Sequence, residues 1–310
     1  MVHSTLSLEG FPAAGVEKVH RLLGILNELD AEPALAGKLA LHGGTALNLF
    51  CLGLPRLSVD IDLNYIGAVD RDSMLVERPD VERAIEAVGR SLGYNIGRGP
   101  TSDSGGAFHL QYPSIAGSDH VKIDVNYRNR SPLLPVEHRT VTLDDARATF
   151  PVEADIELIA GKLRALVGRV AVRDLYDVHL IAHVFPDLVA DGDETLLRRV
   201  ILYYLATSDP YPKPFEVRKR FANRQPDIQA DLVPMLAPGT APDLNHMIHV
   251  ADEFLTDVSQ PRTGEELEFM ERATVADLQP DLLFAEYPQI RAIGQNVWMG
   301  SGVSVLFQPS

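Results

Sequence analysis

The hydrophobic and polar positions predict three short strands in the chain's first half, one from an apolar run and two from alternation. Residues 38–44 form an apolar run that ends at two glycines, and residues 58–66 and 120–128 repeat the period of two that strands with one buried face show. In residues 154–184 the apolar positions instead recur every three or four residues. These patterns predict strands that build an α/β (α+β) mixed sheet, followed by two helices.

Charged amphipathic patterns continue after residue 184 and predict a mainly helical second half. The 310 residues, 45% of them hydrophobic, are ample for two cores. We therefore expect an α/β domain over residues 1–150 and a mainly helical domain over residues 151–310. The active site is expected in the cleft between them.

Gly43 and Gly44 stand where the first predicted strand meets an apolar helical run. Glycine allows positive φ and lets backbone N–H groups approach an anion closely. Thr45 is predicted as the N-cap of the helix, whose first N–H groups would then point at a bound group. The pattern predicts a phosphate-binding turn, although a plain helix start has the same residues.

Asp60 and Asp62 lie two residues apart in the second predicted strand and so share one face of it. Two close carboxylates repel each other unless a cation lies between them, and carboxylate oxygens are ligands that Mg²⁺ prefers. The pair predicts a divalent metal site. The alternative is an ordinary solvated strand face.

Lys122 and Asp124 share a face of the third predicted strand. Asp124 could complete a cluster of three carboxylates with Asp60 and Asp62, which would hold a metal and activate an attacking hydroxyl. Lys122 could neutralise phosphate charge or simply pair with Asp124.

Lys162 lies among apolar positions of the first predicted helix, and Asp174 and Asp177 share a face of the second. A lysine there either extends its ammonium to the surface or binds a triphosphate as a point charge. For the segment around Arg173, the alternative is a network of surface charges.

Four linked motifs carry a family resemblance. The runs HGGTALNLF, RLSVDIDL with VKIDV, IELIAGKLRAL and RDLYDVHLI occur in this order over roughly residues 40 to 182. Together they resemble the AbiEii/AbiGii group of bacterial nucleotidyltransferase toxins, known from abortive infection and related to the DNA polymerase β superfamily. The resemblance implies a polymerase β-like nucleotidyltransferase domain in the first half of the chain.

The resemblance also implies a function. A toxin of this group is expected to use Mg²⁺, or Mn²⁺ in its place, to add nucleotides from a nucleoside triphosphate to the 3′ end of tRNA. This modification blocks aminoacylation and stops translation. The implied partners are the tRNA acceptor end and a separately encoded antitoxin, often a winged-helix transcriptional regulator.

Position by position, the resemblance implies these roles: Gly43, Gly44 and Thr45 in the phosphate-binding turn, Arg56 and Ser58 in orienting the loop or touching phosphate, Asp60 and Asp62 as metal ligands, Lys162 in contacting the nucleotide, and Asp174 and Asp177 as the catalytic pair of the last motif. Asp124 or a last-motif aspartate would supply the third acidic group.

The formal net charge of −15 opposes an RNA substrate, because phosphate-binding surfaces depend on Lys and Arg. One segment has the opposite balance and could contact RNA or form a solvated helix face; its basic residues are Lys213, Arg218, Lys219, Arg220 and Arg224. A protein or small-molecule acceptor, or a catalytically silent binding protein, is the alternative function.

The chain opens with no charged segment followed by an apolar one, and it has no run of 18 or more apolar residues. We therefore expect a cytoplasmic protein without a membrane partner.

Overall fold

The computed structural model describes residues 4–100, 102, 104–188, 194–208, 211, 215–237, 239–287 and 290. They form two compact units. The first contains the chain up to Asp155 and also Met235–Gly239, and the second contains Ile156–Pro234 and the chain from Thr240 onward. The sequence predicted a single boundary near residue 150 and did not predict that residues 235–239 return to the first unit.

The first unit is built on a mixed sheet with three α-helical segments and a short 3₁₀ helix at Pro33–Leu35. Its elements in chain order are β1 (Ser4–Leu6), α1 (Ala13–Ala31), β2 (Leu39–His42), α2 (Gly43–Ala46, continued by a π-helical turn at Leu47–Cys51), β3 (Asp60–Tyr65), α3 (Arg71–Ser91), β4 (Asn95–Arg98), β5 (Gly105–Ser114), β6 (Gly117–Asn126), β7 (Glu137–Leu143) and β8 (Ala146–Val152).

Eight described strands pair in the order β1-β7-β8-β2-β3-β6-β5-β4. The pairs β1/β7, β2/β8 and β3/β6 are parallel, and the other neighbours are antiparallel. The three strands predicted from the sequence are β2, β3 and β6, and the predicted α/β (α+β) mixed sheet is confirmed. β3 and β6 are neighbours near the centre of the sheet, so the polar side chains of the two strands lie on one continuous face.

Apolar and polar residues alternate along β3 and β6, and this explains why the polar side chains of both strands lie on one face of the sheet. Ile61 and Leu63 of β3 and Ile123 of β6 are fully buried, while the aspartates between them are only half-buried. α1 packs on the sheet at β8, and its buried residues include Leu22 and Leu26. Burial of one face thus leaves the opposite face for polar side chains.

All described elements of the second unit are helical. They are α4 (Asp155–Gly168, whose first residue belongs to the first unit), α5 (Val172–Leu188), α6 (Glu194–Ala206), α7 (Val217–Phe221), α8 (Gln225–Asp227, continued by a π-helical turn at Ile228–Leu232), α9 (Leu244–Val258), α10 (Gly264–Ala273) and α11 (Pro280–Phe284). None of the helices that the structure describes is long and apolar enough to cross a membrane.

Candidate active site

The turn between β2 and α2 brings Gly43 against β3. Gly43 has φ +72°, and a Cβ added to it would overlap the Asp62 carboxylate and lie 2.9 Å from the Asp62 Cβ. Both features require glycine. His42 is paired directly opposite Asp62 in the antiparallel β2/β3 register. The predicted phosphate turn therefore lies beside a predicted metal ligand.

Thr45 does not cap the helix, and that prediction is wrong. α2 begins at Gly43 with His42 in the N-cap position, because positive φ at Gly43 lets the chain turn directly out of β2. Thr45 is fully buried, its hydroxyl donates to the Asp60 carbonyl at 2.5 Å, and the Ser58 hydroxyl lies 3.0 Å from it. Thr45 and Ser58 thus hold the start of β3, where Asp60 lies.

The parallel register of β3 and β6 assembles three carboxylates. It pairs Asp62 with Asp124 and Asp60 with Lys122. Paired residues on neighbouring strands point to the same face of a sheet. Asp60, Asp62 and Asp124, called the carboxylate cluster below, therefore share one face, and each is half-buried.

Lys122 lies within this group of negative charges. Its ammonium is 2.6 Å from Asp124 Oδ2. The pKa of Lys122 is raised, first by its hydrogen bond to Asp124 and further by attraction to Asp124, Asp60 and Asp62, against the opposing effect of burial. Of the two roles considered for Lys122, the structure contains the ion pair.

The carboxylate cluster has the chemistry of a site for a hard cation. Three carboxylates share one sheet face with one lysine, so their charge is only partly neutralised by Lys122. Half-buried oxygens that remain accessible suit Mg²⁺, which keeps some of its water when bound to proteins. The residues present therefore fit a divalent metal of this type.

Polar residues behind the cluster were missed by the sequence analysis. Asn64 continues the face of Asp60 and Asp62 and donates to the buried Glu153 at 2.5 Å, and the Asn126 amide donates to the Asn64 side-chain oxygen at 2.7 Å. The signal was present, since D-x-D-x-N in β3 and K-x-D-x-N in β6 repeat one pattern. This chain of hydrogen bonds secures the register that aligns the carboxylates.

Arg56 is buried, with 2% of its surface exposed, and its guanidinium donates to the Leu57 carbonyl at 2.9 Å. Arg56 also forms an isolated antiparallel bridge with Leu236, and the Leu57 N–H donates to the Met235 carbonyl at 2.7 Å. The returning segment therefore supports the loop before β3. Of the two roles implied for Arg56, these contacts fit orientation of the loop.

In the second unit, Lys162 is buried between two aspartates. Its ammonium lies 2.9 Å from both Asp174 Oδ1 and Asp177 Oδ2, and none of the three is more than 5% exposed. Arg169 adds a second cation, 2.6 Å from Asp174 Oδ2. We call Lys162, Asp174 and Asp177 the buried ion triad.

Electrostatics favour the charged form of Asp174. Burial alone would raise the pKa of Asp174, but attraction to Lys162 and the bond from Arg169 outweigh it and lower the pKa to about 2. A surface charge network at this segment is wrong for both aspartates, because Asp174 and Asp177 face the interior. The Lys162 side chain is also buried, so the alternative in which it extends its ammonium to the surface is wrong.

The basic side chains of residues 213–224, called the basic segment below, are only partly available to bind RNA. Arg218 pairs with Asp252, Lys219 with Glu216 and Arg224 with Asp227, and these three basic side chains are exposed. Arg220 instead donates to the carbonyls of Leu166 and Val167 at the end of α4, so it completes a helix terminus. Lys213 lies outside the described residues.

Comparison with solved structures shows the fold. The structure is similar to MenT4, a nucleotidyltransferase toxin from Mycobacterium tuberculosis H37Rv, with a TM-score of 0.56 and 18% identity, covering 86% of this chain and 96% of that one. JHP933 from Helicobacter pylori matches with a TM-score of 0.48 and 18% identity, covering 86% and 98%. The fold is that of a nucleotidyltransferase toxin.

The family follows from the sequence. Residues 25–263 match the family described as "Nucleotidyl transferase AbiEii toxin, Type IV TA system", where TA stands for toxin–antitoxin. The chain belongs to this family, and the resemblance drawn from the four motifs is confirmed. Membership implies an antitoxin as partner. No curated protein sequence matches the chain.

Proposed function

We propose that this toxin is a Mg²⁺-dependent nucleotidyltransferase that adds nucleotides from a nucleoside triphosphate to the 3′ end of tRNA and thereby blocks aminoacylation and translation. The observation that carries the proposal is the carboxylate cluster, which β3 and β6 hold on one sheet face beside Gly43. The antitoxin would be a separately encoded winged-helix regulator.

Asp60 and Asp62 would hold Mg²⁺, with Mn²⁺ as a substitute. When bound, the ion would neutralise charge on the triphosphate and on the pyrophosphate that leaves. The chain's own contribution is placement: Thr45 holds the Asp60 backbone, and the absence of a side chain at Gly43 leaves room for the Asp62 carboxylate. Gly43 and Gly44 would face the phosphates, whereas contact of the buried Thr45 with phosphate stays a prediction of the family resemblance.

Asp124 is the third acidic group in this proposal. It shares the face of Asp60 and Asp62, whereas Asp174 and Asp177 are buried against Lys162 in the other unit. Asp124 would accept the proton of the attacking 3′-hydroxyl. Lys122, already hydrogen-bonded to Asp124, would orient that carboxylate before the transfer.

We assign the buried ion triad to holding α4 and α5 together. The Lys162 ammonium already donates to two carboxylates, and 95% of its surface is covered. Contact of Lys162 with the nucleotide, and catalytic work by Asp174 and Asp177, stay predictions of the family resemblance. A variant that separates stability from activity decides between the structural and the catalytic role.

The acceptor is tested by transfer of label. The protein is incubated with Mg²⁺ and each α-labelled nucleoside triphosphate in turn, together with total bacterial tRNA or the same tRNA after periodate oxidation, which destroys the terminal diol. We expect label on intact tRNA and none on oxidised tRNA, and loss of the reaction in EDTA. Equal labelling of both tRNA samples would contradict attack by the terminal hydroxyl.

A protein or small-molecule acceptor is the second candidate, favoured by the ion pairs that already occupy Arg218, Lys219 and Arg224. Parallel reactions with RNase-treated cell extract test it. Label on a protein or small-molecule fraction, with none on tRNA, would replace the first proposal. Binding of nucleotide without any transfer would instead indicate a silent binding protein.

A further inference from the structure

Three histidines converge on the surface of the second unit, apart from every residue used above. His179 and His183 lie one turn apart on α5, and His246 lies near the start of α9, which packs on α5. Their ring centroids are 4.4, 5.1 and 6.0 Å apart. One nitrogen from each ring lies within 4.8 Å of the other two.

The hydrogen bonds of the rings leave nitrogens suited to a ligand. His183 Nδ1 is 2.7 Å from the His179 carbonyl, so a proton on Nδ1 leaves Nε2 as a lone-pair donor. Among the described residues, His179 Nδ1 is buried and has no hydrogen-bond partner.

We propose that His179, His183 and His246 form a site for a first-row transition metal, with Zn²⁺ as the ion that fits best. Imidazole nitrogens suit Zn²⁺, Cu²⁺ and Ni²⁺ and are poor ligands for Mg²⁺. Zn²⁺ bound by three histidines keeps a fourth position for water or an exogenous ligand. This site is therefore chemically distinct from the carboxylate cluster.

Small side-chain rotations suffice to close the site. Three nitrogens about 2.1 Å from one tetrahedral ion lie roughly 3.4 Å from each other. His183 and His246 are exposed and can turn towards the half-buried His179. Because the ligands come from α5 and α9, a bound ion would join these two helices and stabilise the second unit.

Titration of the tag-free, EDTA-stripped full-length protein with Co²⁺, and then displacement by Zn²⁺, tests the site. We expect visible absorption bands of a four-coordinate Co²⁺ centre at one ion per chain, their loss on addition of Zn²⁺, and no effect of a large excess of Mg²⁺. The melting temperature should rise with Zn²⁺. These readouts do not depend on transfer activity.

The variants His183→Ala and His246→Ala remove exposed ligands, and His249→Ala removes an exposed histidine from the same helix α9 that lies outside the cluster. Each of the first two should weaken Zn²⁺ binding by about tenfold or more and abolish the Co²⁺ bands. His249→Ala should bind as the parent does. Equal affinity in the parent and the His246→Ala variant, or no band in the parent, would overturn the proposal.

Discussion

Two groups of aspartates beside a lysine look alike in the sequence and differ in the structure. In the carboxylate cluster, Asp60, Asp62 and Asp124 are half-buried and share a sheet face with Lys122. In the buried ion triad, Asp174 and Asp177 are at most 1% exposed and flank Lys162, with Arg169 also on Asp174. The first group has excess negative charge and is accessible, whereas the second is enclosed and nearly balanced.

This difference separates binding from stability. An accessible cluster with unbalanced charge can gain energy from a cation that comes from solution. A buried and balanced group has already satisfied its charges internally, and loss of one member leaves another charge without compensation. Substitutions in the cluster should therefore change activity, and substitutions in the triad should change the free energy of unfolding.

The largest effect on stability is expected for Lys162→Met. It leaves Asp174 and Asp177 buried without their shared cation and should lower the free energy of unfolding by about 3–5 kcal/mol. Urea unfolding followed by circular dichroism measures the loss. The triple variant Lys162→Met, Asp174→Asn, Asp177→Asn, which removes the charges together, should recover much of it.

Transfer activity of that triple variant then tests the role of the triad. If the variant is folded and retains most of the parent's activity, the triad is structural. A folded triple variant with no activity would contradict this assignment and favour the catalytic roles that the family resemblance implies for these three residues.

Gly43→Ala should damage the cluster more than the fold. The added Cβ would displace the Asp62 carboxylate, and we expect transfer to fall about 100-fold. Gly37→Ala is the matched control, because Gly37 has a similar φ of +68° and nothing within 4 Å of an added Cβ. Both changes should cost about 1–2 kcal/mol of backbone strain. Equal activity in the two variants would refute the role given to Gly43.

Acid should weaken the buried ion triad. The pKa of Asp174 in the folded protein is about 2, below its ordinary value of 3.8, so its ionised form stabilises the fold above about pH 4. This stabilisation, on the order of 2 kcal/mol, is lost as the pH falls from about 4 to about 2. The difference in unfolding free energy between the parent and Asp174→Asn should shrink over that range; a constant difference would contradict it.

The smallest effect is expected at the basic segment. Replacing Arg218 and Lys219 by Gln should weaken tRNA binding and lower the slope of log affinity against log salt by about one to two. The double variant Arg83→Gln, Arg90→Gln, which removes two exposed, ion-paired arginines from α3, is the control. Identical slopes in all three proteins would exclude this segment from the RNA-binding surface.

The sequence alone predicted the elements that carry the cluster, because alternation along β3 and β6 is a local property. The sequence left the strand order open. Asp124 lies beside Asp60 and Asp62 because β6 pairs with β3 in the sheet. The sequence analysis also missed Asn64 and Glu153, which are 89 residues apart and meet only through the fold.

The buried ion triad and Thr45 show a second limit. The spacing of Asp174 and Asp177 indicated a shared helix face but not whether that face points to solvent or to α4. Thr45 has a residue type suited to capping, and the backbone freedom of Gly43 places the N-cap three residues earlier, at His42. Burial and close backbone approach are tertiary properties that one sequence does not express.

The central claim is that the carboxylate cluster catalyses nucleotidyl transfer. The variant Asp60→Asn tests this claim most directly. Its control is Glu137→Gln, which changes an exposed acid in the same sheet. At saturating Mg²⁺, with unfolding measured on the same samples, Asp60→Asn should lose at least about 100-fold in transfer and little stability, while Glu137→Gln should behave as the parent. An Asp60→Asn protein that transfers nucleotide as fast as the parent would contradict the claim.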